Sequence, residues 1–132
     1  MTLDISSVKN RRIVVTQLGG PEQLNMVEDE VPPPGKRQAR VRVLASGVSF
    51  ADLLMREGRH PERKRPPFTP GWDLVGEVEC LGDGVDGLEI GETVAALTIT
   101  GAYTQYINLP ATELVVVPKG VDAVEAVCLV MD

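Results

Sequence analysis

Residues 73–94 read DLVGEVECLGDGVDGLEIGETV, an apolar run followed by GDGVDG at 82–87, which fits G-x-G-x-x-G letter for letter. That pattern holds a dinucleotide only where a strand passes through a tight glycine turn into a helix, whose first N–H groups and dipole meet the pyrophosphate. Here the turn is followed by LEIGETVAAL: Gly91 interrupts, and Thr93 and Val94 bring β-branched side chains, so no amphipathic helix can be drawn. The fingerprint also wants an acidic residue about twenty positions on, to hold a ribose hydroxyl. Residues 95–108 contain no carboxylate. The glycines therefore turn the chain between two strands, Gly supplying positive φ and Asp bonding its own backbone.

The flanking sequence repeats that short-strand pattern. Residues 11–19 (RRIVVTQLG) and 22–31 (EQLNMVEDEV) read as strands joined in a hairpin, and the prolines of VPPPG then end the pairing. QARVRVLASGVS at 38–49 alternates, with Arg40 and Arg42 on one face and Val41 and Val43 on the other, a half-buried antiparallel strand. FADLLMREG at 50–58 changes period: Phe50, Leu53, Leu54 and Glu57 recur at helical spacing, and Gly58 sits where a C-cap belongs. Ser49-x-x-Asp52 just before it has the form of a capping box, Asp standing in for the usual Glu. Segments 72–82, 92–99, 102–110 and 112–118 are four further strands, at the spacing of an all-β barrel or sandwich. From residue 121, Val124, Val127, Cys128 and Met131 return to helical spacing, and the chain stops at Asp132 inside that helix, as expected of one domain cut from a longer enzyme.

Composition narrows the function classes. A chain of 132 residues with 43% hydrophobic and 24% charged residues has room for a single domain with its own core. The net charge of −6 argues against nucleic acid or an anionic membrane as partner, and no apolar run is long enough for a membrane span. The local basic run REGRHPERKR at 56–65 is open to two readings, a phosphate-binding patch or a solvated loop, and the lack of interleaved aromatics favours the loop. Cys80 and Cys128 lack C-x-x-C spacing and no apolar signal segment precedes them, which points to a cytoplasmic protein with reduced thiols.

Four segments, ASGVSFADLLMREG (45–58), PFTPGWDLVGEV (67–78), LGDGVDGLEIGETV (81–94) and GAYTQYINLPATELVVVPKGV (101–121), occur in an order and spacing that resembles the GroES-like domain of the medium-chain dehydrogenase/reductases. Within them the zinc-independent quinone oxidoreductases, and among these the vesicle amine transport protein homologues, are the nearest likeness. The resemblance covers nearly everything from Arg12 onward. It implies a mainly β (α+β) fold, a GroES-like, partly open β-barrel with short helices over residues 1–132. It also implies a parent enzyme, a homodimer, whose Rossmann cofactor domain and returning C-terminal segment lie outside this chain. The cofactor implied is NADPH, held mainly by that other domain.

The same resemblance speaks against zinc. Zinc-dependent relatives place a Cys ligand where this sequence has Ser49, a proton-relay His at Phe50, a hydroxyl residue at Ala51, and a His-Glu pair at Trp72-Asp73. A catalytic zinc needs three Cys, His or carboxylate ligands, and the only histidine is His60. Without a Lewis acid, reduction of an electrophilic acceptor, a quinone or an α,β-unsaturated carbonyl (enone), is a better match than oxidation of an alcohol.

By resemblance, Ser49 lies near the nicotinamide, where quinone oxidoreductases usually carry Asn. Its hydroxyl is a candidate catalytic donor to the substrate carbonyl or a cofactor contact, a role compatible with capping. His60 stands where relatives place a Tyr lining the cleft and is the candidate proton donor. Phe50, Arg56 and Trp72 are the candidate substrate-cleft residues, Trp72 as a flat wall for a planar substrate or as core. Arg56 either pairs with Asp52 at i, i+4 or faces the cleft, and Asp52 is the structural orienter. Asp132 is placed at the domain junction, toward the cofactor. A non-enzymatic interaction module on the same barrel is the reading of a different class, and a zinc alcohol dehydrogenase stands third.

Overall fold

In a computed structural model, which describes residues 6–62 and 64–131, two antiparallel sheets and two helices follow each other along the chain. Strands β1 (Val8–Val15) and β2 (Leu24–Val31) pair over their whole length as the expected hairpin. β1 begins and ends earlier than the apolar run alone indicates. Residues 16–20 leave the ladder, and Pro21–Gln23 form a 3-10 turn before β2. The larger sheet has the order β6-β3-β4-β5-β7, from β3 (Gln38–Ser46), β4 (Asp73–Leu81), β5 (Thr93–Leu97), β6 (Tyr106–Pro110) and the two-residue β7 (Val115–Val116). The segment 102–105, which reads as strand in sequence, instead crosses to the hairpin. There Thr104 bridges Arg12 and the Tyr103 carbonyl accepts the Ile13 N–H at 2.9 Å. A second bridge, Val15 with Phe68, ties the hairpin to the loop that leads into β4. The result is a partly open barrel, mainly β with short helices.

β4 is the central strand, buried along Asp73–Gly76 and again at Val78. Leu74 and Val78 lie in the main core with Val41, Val94 and Leu109, while Val75 packs beneath α2 (Ala123–Met131) against Ala126 and Val127. A strand covered on both faces needs the near-continuous apolar run the sequence has there. The turn at 82–87 that follows leads into β5, not into a helix. At Gly82 a Cβ would run into the Gly35 carbonyl oxygen, so only glycine lets the chain pass the loop that starts β3.

Three stripes differ from their sequence expectation. Helix α1 (Phe50–Glu57), capped by Gly58 in the left-handed conformation, buries Asp52 and Met55 and leaves Phe50 72% exposed. Of the stripe Phe50, Leu53 and Leu54 none is fully buried, because Asp52, a carboxylate with enough donors, takes the inner face beside Met55. In α2, Ala126 and Val127 are buried whereas Val124 and Cys128 are exposed. In β3, register shifts at Arg40/Val41 and Val43/Ala45 break the alternation. Arg40, expected beside Arg42 on the polar face, is 3% exposed. It is neutralised by a two-pronged contact with Glu79 (Nε–Oε2 2.8 Å, Nη2–Oε1 3.3 Å) and by donation to the Ser6 carbonyl at 2.6 Å.

Candidate functional site

The chain turns from β3 into α1 through Gly47, Val48 and Ser49, and the helix start is fixed locally. Ser49 Oγ accepts the Asp52 N–H at 3.3 Å and Asp52 Oδ2 accepts the Ser49 N–H at 2.9 Å, a reciprocal capping box. Asp52 does more than cap. Its Oδ2 also accepts the Ser49 hydroxyl at 3.1 Å and the Tyr103 phenol at 3.0 Å, and its Oδ1 accepts the Gly71 N–H at 3.1 Å. At 5% exposure this carboxylate is tolerated because four donors from three segments surround it.

A second buried carboxylate, Asp73, opens β4 beside the first. Its Oδ1 accepts the Gly47 N–H at 2.9 Å, so each end of the 47–49 turn rests on a carboxylate. Ser46 Oγ donates to the Ala102 carbonyl at 2.8 Å and Thr98 Oγ1 to the Gly71 carbonyl at 2.8 Å, which close the loops 69–73 and 98–104 over the same point. Burial, then the Asp52 charge and hydrogen bond, then the Asp73 charge raise the Tyr103 phenol well above its ordinary value. It remains a protonated donor throughout the physiological range.

His60 and Trp72 meet across the loop from α1, ring centroids 5.1 Å apart and planes tilted by 59°. The His60 Nδ1 accepts the Glu62 N–H at 2.9 Å, so in the neutral ring Nε2 carries the proton. The Trp72 indole packs on Val15, Met55 and Phe68, and its buried Nε1 has no hydrogen-bond partner. Trp72 thus packs on the hydrophobic cluster and also meets the His60 ring.

The remaining expected residues fall in different places. Arg56 does not close a pair with Asp52; its Nε donates to the Gly19 carbonyl at 3.0 Å, tying α1 to the hairpin. It also rims a recess of about 150 Å³ between α1 and β2, with Leu24, Leu53, Pro70 and Tyr103 among its walls. Phe50 and Val48, 72% and 78% exposed, flank the helix start as an apolar rim. Asp132 lies outside the described residues, as does Arg63 of the basic run. Sequence reasoning passed over Tyr103 and the burial of Asp73. The available signal was the polar tip of an aromatic in the glycine-flanked segment GAYTQY, and a lone Asp opening an apolar strand.

Among the described residues no three His, Cys, Asp or Glu side chains converge on one point, and no helix is long and apolar enough to cross a membrane. The Ser49 oxygen is engaged with Asp52, and neither it nor an indole offers a zinc donor of the usual kind. The turn at 82–87 opens into a strand, so a pyrophosphate finds no helix N-terminus there.

Known proteins share this fold. The synaptic vesicle membrane protein VAT-1 homolog-like of Homo sapiens is 31% identical over 122 residues, covering 92% of this chain and 29% of that protein. Its crystal structure superposes with a TM-score of 0.89 over 94% of this chain and 40% of that one. The quinone oxidoreductase of Lama guanicoe is 37% identical over 98 residues, 73% of this chain and 30% of that protein. The quinone oxidoreductase of Thermus thermophilus, crystallised alone and with NADPH, gives a TM-score of 0.74 at 34% identity, over 92% of this chain and 37% of that one. The chain thus spans about a third of the length of these curated relatives. Residues 35–119 match the alcohol dehydrogenase GroES-like domain, and with these likenesses the chain belongs to that family, in the quinone oxidoreductase-like branch of the medium-chain dehydrogenase/reductases.

Proposed function

We propose that this chain is the substrate-side domain of an NADPH-dependent, zinc-free oxidoreductase that reduces quinones or α,β-unsaturated carbonyls. The observation that carries the reading is the side-chain set at the zinc-ligand positions of the family: a Ser49 bound to its own cap and a Trp72 packed on the core. Hydrogen-bond donors remain there, and no set of metal ligands.

NADPH, when bound, supplies a hydride. Its pyrophosphate belongs to a domain outside this chain, and Val48, Ser49 and Phe50 would form the wall on this side. As the acceptor is reduced, its oxygen gains negative charge. Ser49 Oγ and the Nε2–H of a neutral His60 are this chain's candidate donors to that oxygen. The tilted His60–Trp72 pair gives a flat conjugated ring a face to lie on.

The test is the full-length protein with NADPH and a panel of acceptors. Consumption of NADPH with a benzoquinone or an enone, unaffected by a strong chelator, is expected. Oxidation of a simple alcohol that vanishes on chelation would overturn the reading in favour of a zinc enzyme. Absence of turnover with any acceptor would favour a binding module.

A further inference from the structure

The Asp52 carboxylate is more crowded than a helix cap requires, and the crowding is uneven. Oδ1 accepts one donor, the Gly71 N–H, whereas Oδ2 accepts three: the Ser49 N–H at 2.9 Å, the Ser49 hydroxyl at 3.1 Å and the Tyr103 phenol at 3.0 Å. Of the three on Oδ2, the backbone N–H is fixed by the helix start, and the phenol is fixed by a half-buried ring in the 102–105 crossing. The Ser49 hydroxyl proton can leave without moving heavy atoms, by rotation about Cβ–Oγ. Its oxygen stays in place meanwhile, because it accepts the Asp52 N–H at 3.3 Å.

Resting on the reading of Ser49 given above, we propose that Tyr103 is a positioning residue for Ser49: by satisfying Asp52 Oδ2, it frees the Ser49 hydroxyl to donate to the substrate oxygen. With Tyr103 in place, Oδ2 keeps two donors after Ser49 turns away, and the buried carboxylate is not stranded. With phenylalanine there, the departure would leave Oδ2 with one, so the carboxylate grips the hydroxyl harder and the substrate oxygen loses its donor. The phenol suits this task because burial and the two neighbouring carboxylates keep it protonated at any working pH. A substrate oxygen that gains charge as it is reduced calls for Ser49 most strongly at the transition state, so the effect falls on kcat more than on KM.

The experiment is a double-mutant cycle in the full-length enzyme, Ser49→Ala, Tyr103→Phe and the pair, with NADPH and a quinone. Tyr103→Phe is expected to lower kcat about fivefold with KM nearly unchanged, and to have no further effect in the Ser49→Ala background. Equal slowing in both backgrounds, or none in the first, overturns the proposal. Ser49→Ala at full wild-type rate would instead refute the role of Ser49 itself, and so separates failure of the functional reading from failure of this one. A readout independent of turnover is the infrared carbonyl stretch of a bound, non-reducible aryl ketone. Its frequency should be lowered in the wild type and should rise together in Ser49→Ala and Tyr103→Phe. A Tyr103→Phe frequency equal to the wild type's also overturns the proposal.

Discussion

Helices α1 and α2 are of similar length, and they are held in opposite ways. α1 (Phe50–Glu57) is anchored by polar groups: a capping box at one end, a left-handed glycine at the other, and a buried carboxylate bonded to the 69–73 and 102–105 segments. α2 (Ala123–Met131) carries an exposed cap, Asp122 Oδ2 accepting the Glu125 N–H at 3.3 Å, and is anchored to the sheet by apolar contact, Ala126 and Val127 on Val75 with Ala45 and Ala95 beside them. The difference teaches where precision resides in this domain. Apolar contact is tolerant of small rotations, whereas four donors on one carboxylate fix both position and angle. The helix that carries Ser49 is the one that received the directional anchor.

The comparison can be broken first at its strongest point. Asp52→Ala removes the acceptor of the Ser49 N–H, the Gly71 N–H and the Tyr103 phenol at a site 5% exposed, and is expected to cost about 3–4 kcal/mol. Urea unfolding measures it. Asp52→Asn keeps one acceptor oxygen and should recover part of that loss. On the apolar side, Val127→Ala removes two buried methyl groups, expected to cost about 2 kcal/mol. If the α2 change proved the costlier of the two, the directional anchor would not be what holds α1.

Much of the fold was legible because its signals are local. The hairpin, the central strand and the 82–87 turn follow from alternation, proline and glycine, and the Ser49–Asp52 box from four consecutive residues. The long-range facts were not legible. Nothing near Arg40 in sequence says that Glu79 will neutralise it, so alternation alone set it with Arg42 on the polar face. The stripe of α1 was misplaced for the same reason: periodicity ranks Phe50 and Leu53 as inward, and only the distant Gly71 and Tyr103 make Asp52 the better residue to bury. In the candidate site, Ser49 and Trp72 were singled out only through the positions the family resemblance gives them. Tyr103 was missed because its partner lies fifty-one residues earlier.

The smallest expected effect sharpens the comparison most, because it isolates one bond of the polar anchor. Tyr103→Phe keeps the ring and deletes only the phenol oxygen, so at neutral pH about 1.5 kcal/mol should be lost, the net worth of one hydrogen bond from a half-buried phenol to a buried charged group. The pH dependence has a definite sign. In the folded chain the phenol is held protonated above its ordinary value of 10.0, whereas in the unfolded chain it ionises at that value. Above pH 10 the unfolded state therefore binds fewer protons than the folded one, and stability falls as pH rises. The contribution is fully present below pH 10 and is lost on the way to the folded value, so wild type and Tyr103→Phe should run parallel up to that pH and converge beyond it. Chemical denaturation of the two proteins across the alkaline limb reads the difference directly and cancels the lysine and arginine titrations they share. Curves that stay parallel would mean that the phenol is neither buried nor bonded to Asp52 in solution, and the polar anchor of α1 would then rest on its cap, on Gly71 and on the Arg56–Gly19 bond.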